Sequence, residues 1–289
     1  MFFEKLTKLY CKLCPRECNI DRNRYAGLCK TKNTLEIASY NLHFGEEPPI
    51  SGKNGSGTIF FAGCNLSCIY CQNFPISQLK SAFKVISEEE LADIMIQLQS
   101  KGAHNINLVT PSHFIHLICK SIDLAKEKGL TIPIAYNTSS YDKPEVIEYL
   151  SNYIDIYMAD LKYTDNNISK KLSGIDDYFD IATKAILAMH KTKGSLKTQN
   201  GIATKGLIIR HLVLPNLIDN TKQALKWIVD NLPDTPISLM FQYFPAYKAF
   251  NDSTINRKVN YEEYLEIIDF MNGLNLKGFI QEFNHEYCN

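Results

Sequence analysis

The sequence predicts an α/β fold: a partial (β/α)6 barrel of the TIM-like kind, preceded by a small cysteine-rich metal-binding segment. Three observations predict it. From Thr58 onward, short apolar runs rich in β-formers alternate with longer amphipathic stretches. The runs are apolar at nearly every position, as strands covered on both faces are. Six such units fall short of the eight that close a barrel, so the sheet is expected to stay open.

The elements follow in order. Thr58–Ala62 reads as the first strand. Ser87 and Glu90 have the spacing of a capping box, and Leu91, Ile94, Met95 and Leu98 form one face of a helix over Ser87–Ser100. Asn105–Val109 is the second strand, with a helix to about Lys128; Ile132–Tyr136 is the third, with a helix over Pro144–Tyr153. Ile154–Met158 is the fourth, followed by helical periodicity to about His190, with Asp176 and Asp177 in a flanking turn. Leu207–Leu214 precedes a helix over Thr221–Leu232, and Ile237–Gln242 precedes a last helix over Tyr261–Met271. The chain thus divides into a cysteine-rich segment (1–40), a Gly/Pro-punctuated connector (41–57) and the barrel (58–289).

Composition narrows the function. The 289 residues carry 31 basic and 31 acidic side chains, a net charge of zero, so binding to nucleic acid is not expected. Neither a secretory leader nor a membrane-length apolar run is seen in the sequence, so a cytoplasmic location is expected. Of nine cysteines, seven lie between Cys11 and Cys71, while Cys119 and Cys288 stand apart. Tight spacings and an odd total favour metal thiolates over disulfides. Cys119, on an apolar helix face, reads as a buried thiol, and Cys288 is too near the end to interpret.

Cys64, Cys68 and Cys71 follow the first strand directly, in a Cys-x3-Cys-x2-Cys arrangement. Three thiolates so spaced can grip a 4Fe-4S cubane and leave one iron open to an exogenous ligand. A zinc site or a redox disulfide is the alternative, and zinc would need a fourth ligand from elsewhere. Cys11, Cys14, Cys18 and Cys29 supply four thiolates, enough for a closed site of zinc or iron-sulfur. With little apolar content, this segment is expected to fold around its metal.

Other polar residues gather where strands end, the place of chemistry in β/α folds: Thr110, Asn137, Asp160, Lys162, Arg210 and Gln242. Arg210 and His211 alternate along one strand, so only one faces the barrel interior, and Arg210 is the candidate. His43, Glu46 and Glu47 in the connector fit either a site contact or a solvated loop. His113 and His116, one helical turn apart, read as core or surface histidines.

The cysteine spacing, with aromatic Tyr70 just before the last cysteine, resembles that of the radical S-adenosylmethionine (SAM) superfamily. The resemblance implies that SAM chelates the open iron and is cleaved reductively to methionine and a 5′-deoxyadenosyl radical, which abstracts hydrogen. Nearly end to end, the chain is similar to the PflX-type relatives of pyruvate formate-lyase activating enzyme. The carriers are Cys11–Cys18, His43–Gly52, Gly55–Cys64, Leu108–His113, Ala159–Tyr163, Arg210–Pro215 and Gln242–Pro245. Where activating enzymes have Gly-Gly-Glu this chain has Thr110-Pro111, and where they have Asp it has Asn137; Asp160-Leu161-Lys162 matches their Asp-x-Lys pair. The resemblance implies a cofactor-binding set of Thr110, Asn137, Ser139, Asp160, Lys162, Arg210 and Gln242, with Lys162 neutralising the methionine carboxylate. A simple Lys162–Asp160 ion pair is the alternative. It also implies an electron donor such as flavodoxin or ferredoxin and a protein or small-molecule substrate, with activation of a glycyl-radical enzyme as one option. An RNA-modifying radical enzyme and a non-catalytic iron-sulfur electron carrier are the competing functions.

Overall fold

In the computed structural model, which describes residues 2–7 and 10–283, α1 (Phe2–Thr7) leads into an irregular segment that carries the first four cysteines. Then come β1 (Leu35–His43), the single turn α2 (Pro48–Ser51), β2 (Ser56–Phe61), α3 (Phe74–Ser77), β3 (Lys84–Ile86) and α4 (Glu88–Ser100). The repeating part continues through β4 (Ile106–Val109), α5 (Ile115–Glu127), β5 (Ile134–Thr138), α6 (Pro144–Leu150) and β6 (Ile156–Asp160). Two helices, α7 (Asn166–Ser173) and α8 (Tyr178–Lys193), precede β7 (Lys197–Gln199), β8 (Ile202–Leu212) and α9 (Ile218–Asn231). The described chain ends with β9 (Ile237–Met240), α10 (Tyr261–Gly273) and β10 (Gly278–Ile280); Cys288 lies outside the described residues.

The six expected strands are present as β2, β4, β5, β6, β8 and β9, each parallel to its neighbour. Four additions were not expected, one of them the short strand β7, which pairs antiparallel with the start of β8. A seventh parallel strand, β10, joins β9; β1 pairs antiparallel with β2 at the other margin, and β3 pairs with β1. Thus Leu35–His43, spread over the cysteine-rich segment and the connector, is part of the sheet. The single periodicity read after the fourth strand is broken: Gly174 ends α7 in the left-handed region at φ 68°, and Asp177 precedes α8. The expected capping box on α4 is complete in both directions between Ser87 and Glu90.

Strand alternation divides the core in two. Toward the helices, Ile59, Leu108, Tyr136, Tyr157, Ile209 and Leu239 pack with Leu91, Ile118, Ile147 and Ile228. On the opposite, concave face lies a smaller cluster of Ala135, Ile156, Met158, Ala203 and Ile208, into which Ile50 of α2 inserts. Asn105 donates to the Ile50 carbonyl at 2.8 Å, tying the connector inside the sheet. The connector is therefore a plug in the open barrel. It sets the floor of the site above it.

Candidate functional site

The cysteine loop leaves β2 at Gly63, whose φ is 81°. A β-carbon there would come within 2.4 Å of the Cys29 carbonyl oxygen, so only glycine lets the N-terminal segment press this closely on the loop. The far side is held by the C-terminal turn of α7: Ser67 N–H donates to the Ser173 carbonyl at 3.2 Å and Ile69 N–H to the Leu172 carbonyl at 2.9 Å. Each of the three sulfurs has its own polar contact: Leu66 N–H with Cys64 at 3.4 Å, Ser173 Oγ with Cys68 at 2.9 Å, and Ser77 Oγ with Cys71 at 3.1 Å.

Burial, followed by the proximity of Cys68, pushes the Cys64 thiol far above its ordinary range. Burial also raises the Cys68 thiol, against the opposing pull of Lys162. Three soft, crowded sulfurs whose thiolates repel one another fit an iron-sulfur cluster, which takes thiolate ligands and offsets that repulsion.

Beside this loop runs a line of buried charge on the concave face. Lys162 Nζ meets Asp160 Oδ2 at 2.7 Å, and Arg210 Nε meets Asp160 Oδ1 at 3.0 Å. Arg210 Nη1 continues to Glu46 Oε2 at 3.0 Å, and Asn107 donates to Glu46 Oε1 at 3.0 Å. Burial alone would raise the Asp160 carboxyl, but Lys162 and Arg210 together hold it below the ordinary range. Burial opposes charge on Lys162 as well, and there Asp160 and then Cys68 prevail, raising its affinity for its proton. Five charged groups meet here: Lys162 and Arg210 against Asp160, Glu46 and Glu47, whose nearest approach to Arg210 is 4.0 Å. They sum to one negative charge.

The expected Lys162–Asp160 ion pair is thus present, and Lys162 also faces the cysteine loop. Arg210 does point inward. His211, on the helix side, is held between the Leu161 carbonyl at 2.5 Å and Thr221 Oγ1 at 3.0 Å. Thr110 takes φ 57°, with its N–H on the Asn137 carbonyl at 2.9 Å. Ser139 engages through its carbonyl, 2.8 Å from the Tyr178 hydroxyl, which also lies 2.9 Å from the Asp160 carbonyl. Gln242 stands apart from the charge line and pairs with Gln281 at 3.1 Å, while its carbonyl accepts from Gln72 at the edge of the cysteine loop. Between Gln242 and Arg210 opens a cavity of about 410 Å³, lined also by Glu46, Glu47, Met240 and Phe279.

Two participants were not legible in the sequence, and a third was open. Asn107 and Ser173 carry no local signal, and of the two readings open for Glu46 the structure shows the contact with the charge line. All three meet the site only through contacts distant in sequence.

In the N-terminal segment, Cys11, Cys14 and Cys29 are buried and Cys18 half-buried. The Cys14 thiol is pushed up to about 12 by burial and by the other three thiols around it. Among the described residues no cysteine is in a disulfide, and no three histidine, cysteine or acidic side chains close to the spacing of a single metal ion. The segment is bound to the barrel at several points: Cys64 N–H to the Cys29 carbonyl at 3.3 Å, Arg16 to the Asn65 carbonyl at 2.8 Å, and Arg22 to the His113 carbonyl at 2.6 Å. His113 and His116 are buried in this seam, and Cys119 is buried nearby on α5.

The profile of the Radical SAM superfamily matches residues 58–228. The chain is 31% identical over 275 residues to the uncharacterised protein MJ0674 of Methanocaldococcus jannaschii, covering 92% of this chain and 75% of that one. It is 26% identical over 191 residues to the pyruvate formate-lyase-activating enzyme of Clostridium pasteurianum, covering 61% and 69% respectively. Its fold is similar to that of Streptococcus suis SuiB bound to S-adenosylmethionine, with TM-score 0.51 and 14% identity over 76% of this chain. That match spans only about half, 48%, of SuiB. Among the described residues no helix is long and apolar enough to cross a membrane. Profile, fold and a thiolate-rich loop at the end of β2 agree: the chain belongs to the radical SAM superfamily, whose members carry out SAM-dependent radical chemistry with a 4Fe-4S cluster and a reductant.

Proposed function

We propose that Cys64, Cys68 and Cys71 ligate the 4Fe-4S cluster, and that Lys162 receives the methionine carboxylate of SAM. When bound, cluster and SAM supply a reductively generated radical that takes hydrogen from the substrate. The carrying observation is the position of Lys162, next to the cysteine loop and held there by Asp160. Asp160 in turn is fixed by Arg210, so the lysine is aimed before any ligand arrives. A carboxylate placed near anionic sulfurs needs such a cation.

The substrate is assigned to the cavity between Gln242 and Glu46. Its volume of about 410 Å³ suits a small polar molecule or one side chain of a protein. Likeness to an activating enzyme supports a glycyl-radical protein as the partner. Zero net charge argues against an RNA substrate. The four N-terminal cysteines are assigned to a second, closed zinc or iron-sulfur site, and a flavodoxin- or ferredoxin-type protein to electron delivery. Anaerobic reconstitution followed by dithionite and SAM tests the reading. Release of 5′-deoxyadenosine and methionine is expected; iron-loaded protein that leaves SAM intact would favour an electron carrier instead.

A further inference from the structure

Three hydroxyl groups lie in a buried row that ends on a cysteine sulfur. Tyr70 Oη is 2.6 Å from Tyr163 Oη, Tyr163 Oη is 2.6 Å from Ser173 Oγ, and Ser173 Oγ is 2.9 Å from Cys68 Sγ. All three residues are buried, Tyr163 and Ser173 at 0% exposure. Each hydroxyl has a single proton to give. A thiolate sulfur has none, so with Cys68 ligating a metal, Ser173 must donate to it. Tyr163 must then donate to Ser173, and Tyr70 to Tyr163. Proton counting alone fixes the direction of every bond.

We propose that Tyr70, Tyr163 and Ser173 form a polarised hydroxyl relay that stabilises negative charge on Cys68 and so raises the reduction potential of the cluster. They are positioning residues. The inference rests on the cluster assignment made above. Reduction adds an electron to the cluster, and hydrogen bonds to cluster sulfurs are one of the levers that set the potential. Bonds in series reinforce one another inside a protein, so the outer hydroxyls act through Ser173. The arrangement is also local to one sulfur: backbone bonds from Ser67 and Ile69 bring the end of α7 against Cys68 on both sides.

The test is an EPR-monitored redox titration of the anaerobically reconstituted full-length protein and its Ser173→Ala, Tyr163→Phe and Tyr70→Phe variants. Ser173→Ala should disfavour reduction by roughly tenfold, about 59 mV more negative for a one-electron couple. Tyr163→Phe should shift it the same way by less, and Tyr70→Phe by least, with iron content unchanged. Potentials equal to wild type in Ser173→Ala and Tyr163→Phe, or a shift to higher potential, overturn the relay while leaving the cluster assignment intact. If Ser173→Ala does not retain its cluster, Tyr163→Phe decides: a lowered potential supports the relay and an unchanged one overturns it. Wild-type protein that binds no iron would overturn the cluster assignment and the relay with it.

Discussion

Two cysteine-rich regions meet at a seam in this protein, and their electrostatics differ. In the barrel loop, Cys64 and Cys68 lie within reach of Lys162, and the polar side chains around them belong to distant elements such as α7 and β6. In the N-terminal segment, the other three cysteines act on the Cys14 thiol, and Arg22 acts on Cys18. Three thiolates with a lysine alongside suit a centre that admits a further, anionic ligand. Four thiolates that surround one another suit a centre that admits none. The contrast lies in the number of sulfurs and in where the neighbouring cation comes from: Lys162 reaches the barrel loop from a distant strand end, whereas Arg22 belongs to the N-terminal segment itself.

The largest effect expected is at the open centre. Cys64→Ala, Cys68→Ala and Cys71→Ala should each abolish SAM cleavage and remove the barrel cluster, judged by iron analysis and by 5′-deoxyadenosine release. Retained cleavage in any one of them would remove that cysteine from the ligand set. Cys14→Ser should act differently if the second centre is closed and structural. Thermal stability should fall by an amount on the order of several kcal/mol, while the folded fraction still cleaves SAM. A variant with normal melting and no turnover would make the N-terminal centre part of the electron path and erase the contrast.

How much of this was legible follows the range of the interactions. The Ser87–Glu90 capping box, the six parallel strands and the inward turn of Arg210 rest on spacings of a few residues, and all were readable. The strand β1 was not. It is buried only at its first three residues, and it leaves the cysteine-rich segment with no turn signal to announce it. Nor was the plug formed by α2, because four residues carry no periodicity and Ile50 finds its partners across the whole sheet. Glu46 and Arg210 are 164 positions apart, and Ser173 and Cys68 are 105 apart. Nothing in either local sequence marks those pairs. They exist because the sheet brings the strand ends together.

Lys162 sharpens the comparison next, since it is the cation beside Cys64 and Cys68. Lys162→Ala would leave Asp160 with Arg210 alone and a bound carboxylate with no partner, a loss of about 2–5 kcal/mol for a desolvated pair. SAM affinity, read by equilibrium dialysis or calorimetry on iron-loaded protein, should fall well over tenfold with iron content unchanged. Lys162→Arg should restore part of it, because a planar fork does not replace a compact ammonium. Unchanged affinity in Lys162→Ala would confine Lys162 to its ion pair with Asp160 and pass the carboxylate to Arg210.

The smallest effect concerns the seam itself. His113 Nε2–H donates to the Ala62 carbonyl at 2.8 Å, and His116 Nε2 lies 2.6 Å from Asn33 Oδ1, so one ring touches the strand before the cysteine loop and the other the N-terminal segment. Both Nδ1 atoms are buried without a partner, so a second proton would sit where nothing accepts it. Burial first, and Arg22 after it, lowers both rings to about 3. The sign follows from that direction. The folded state binds these protons less readily than the unfolded chain, whose histidines titrate near 6.5. Their contribution to stability is therefore complete above about pH 6.5 and is lost as pH falls toward 3. At pH 5 the loss is about 2 kcal/mol for each ring. Denaturant melts at pH 7.5 and pH 5 should show that decline in the wild type, and His116→Gln should lessen it by about the share of one ring. An identical pH slope in the variant would mean that His116 titrates normally in the folded protein, leaving His113 as the acid-sensitive contact between the two cysteine regions.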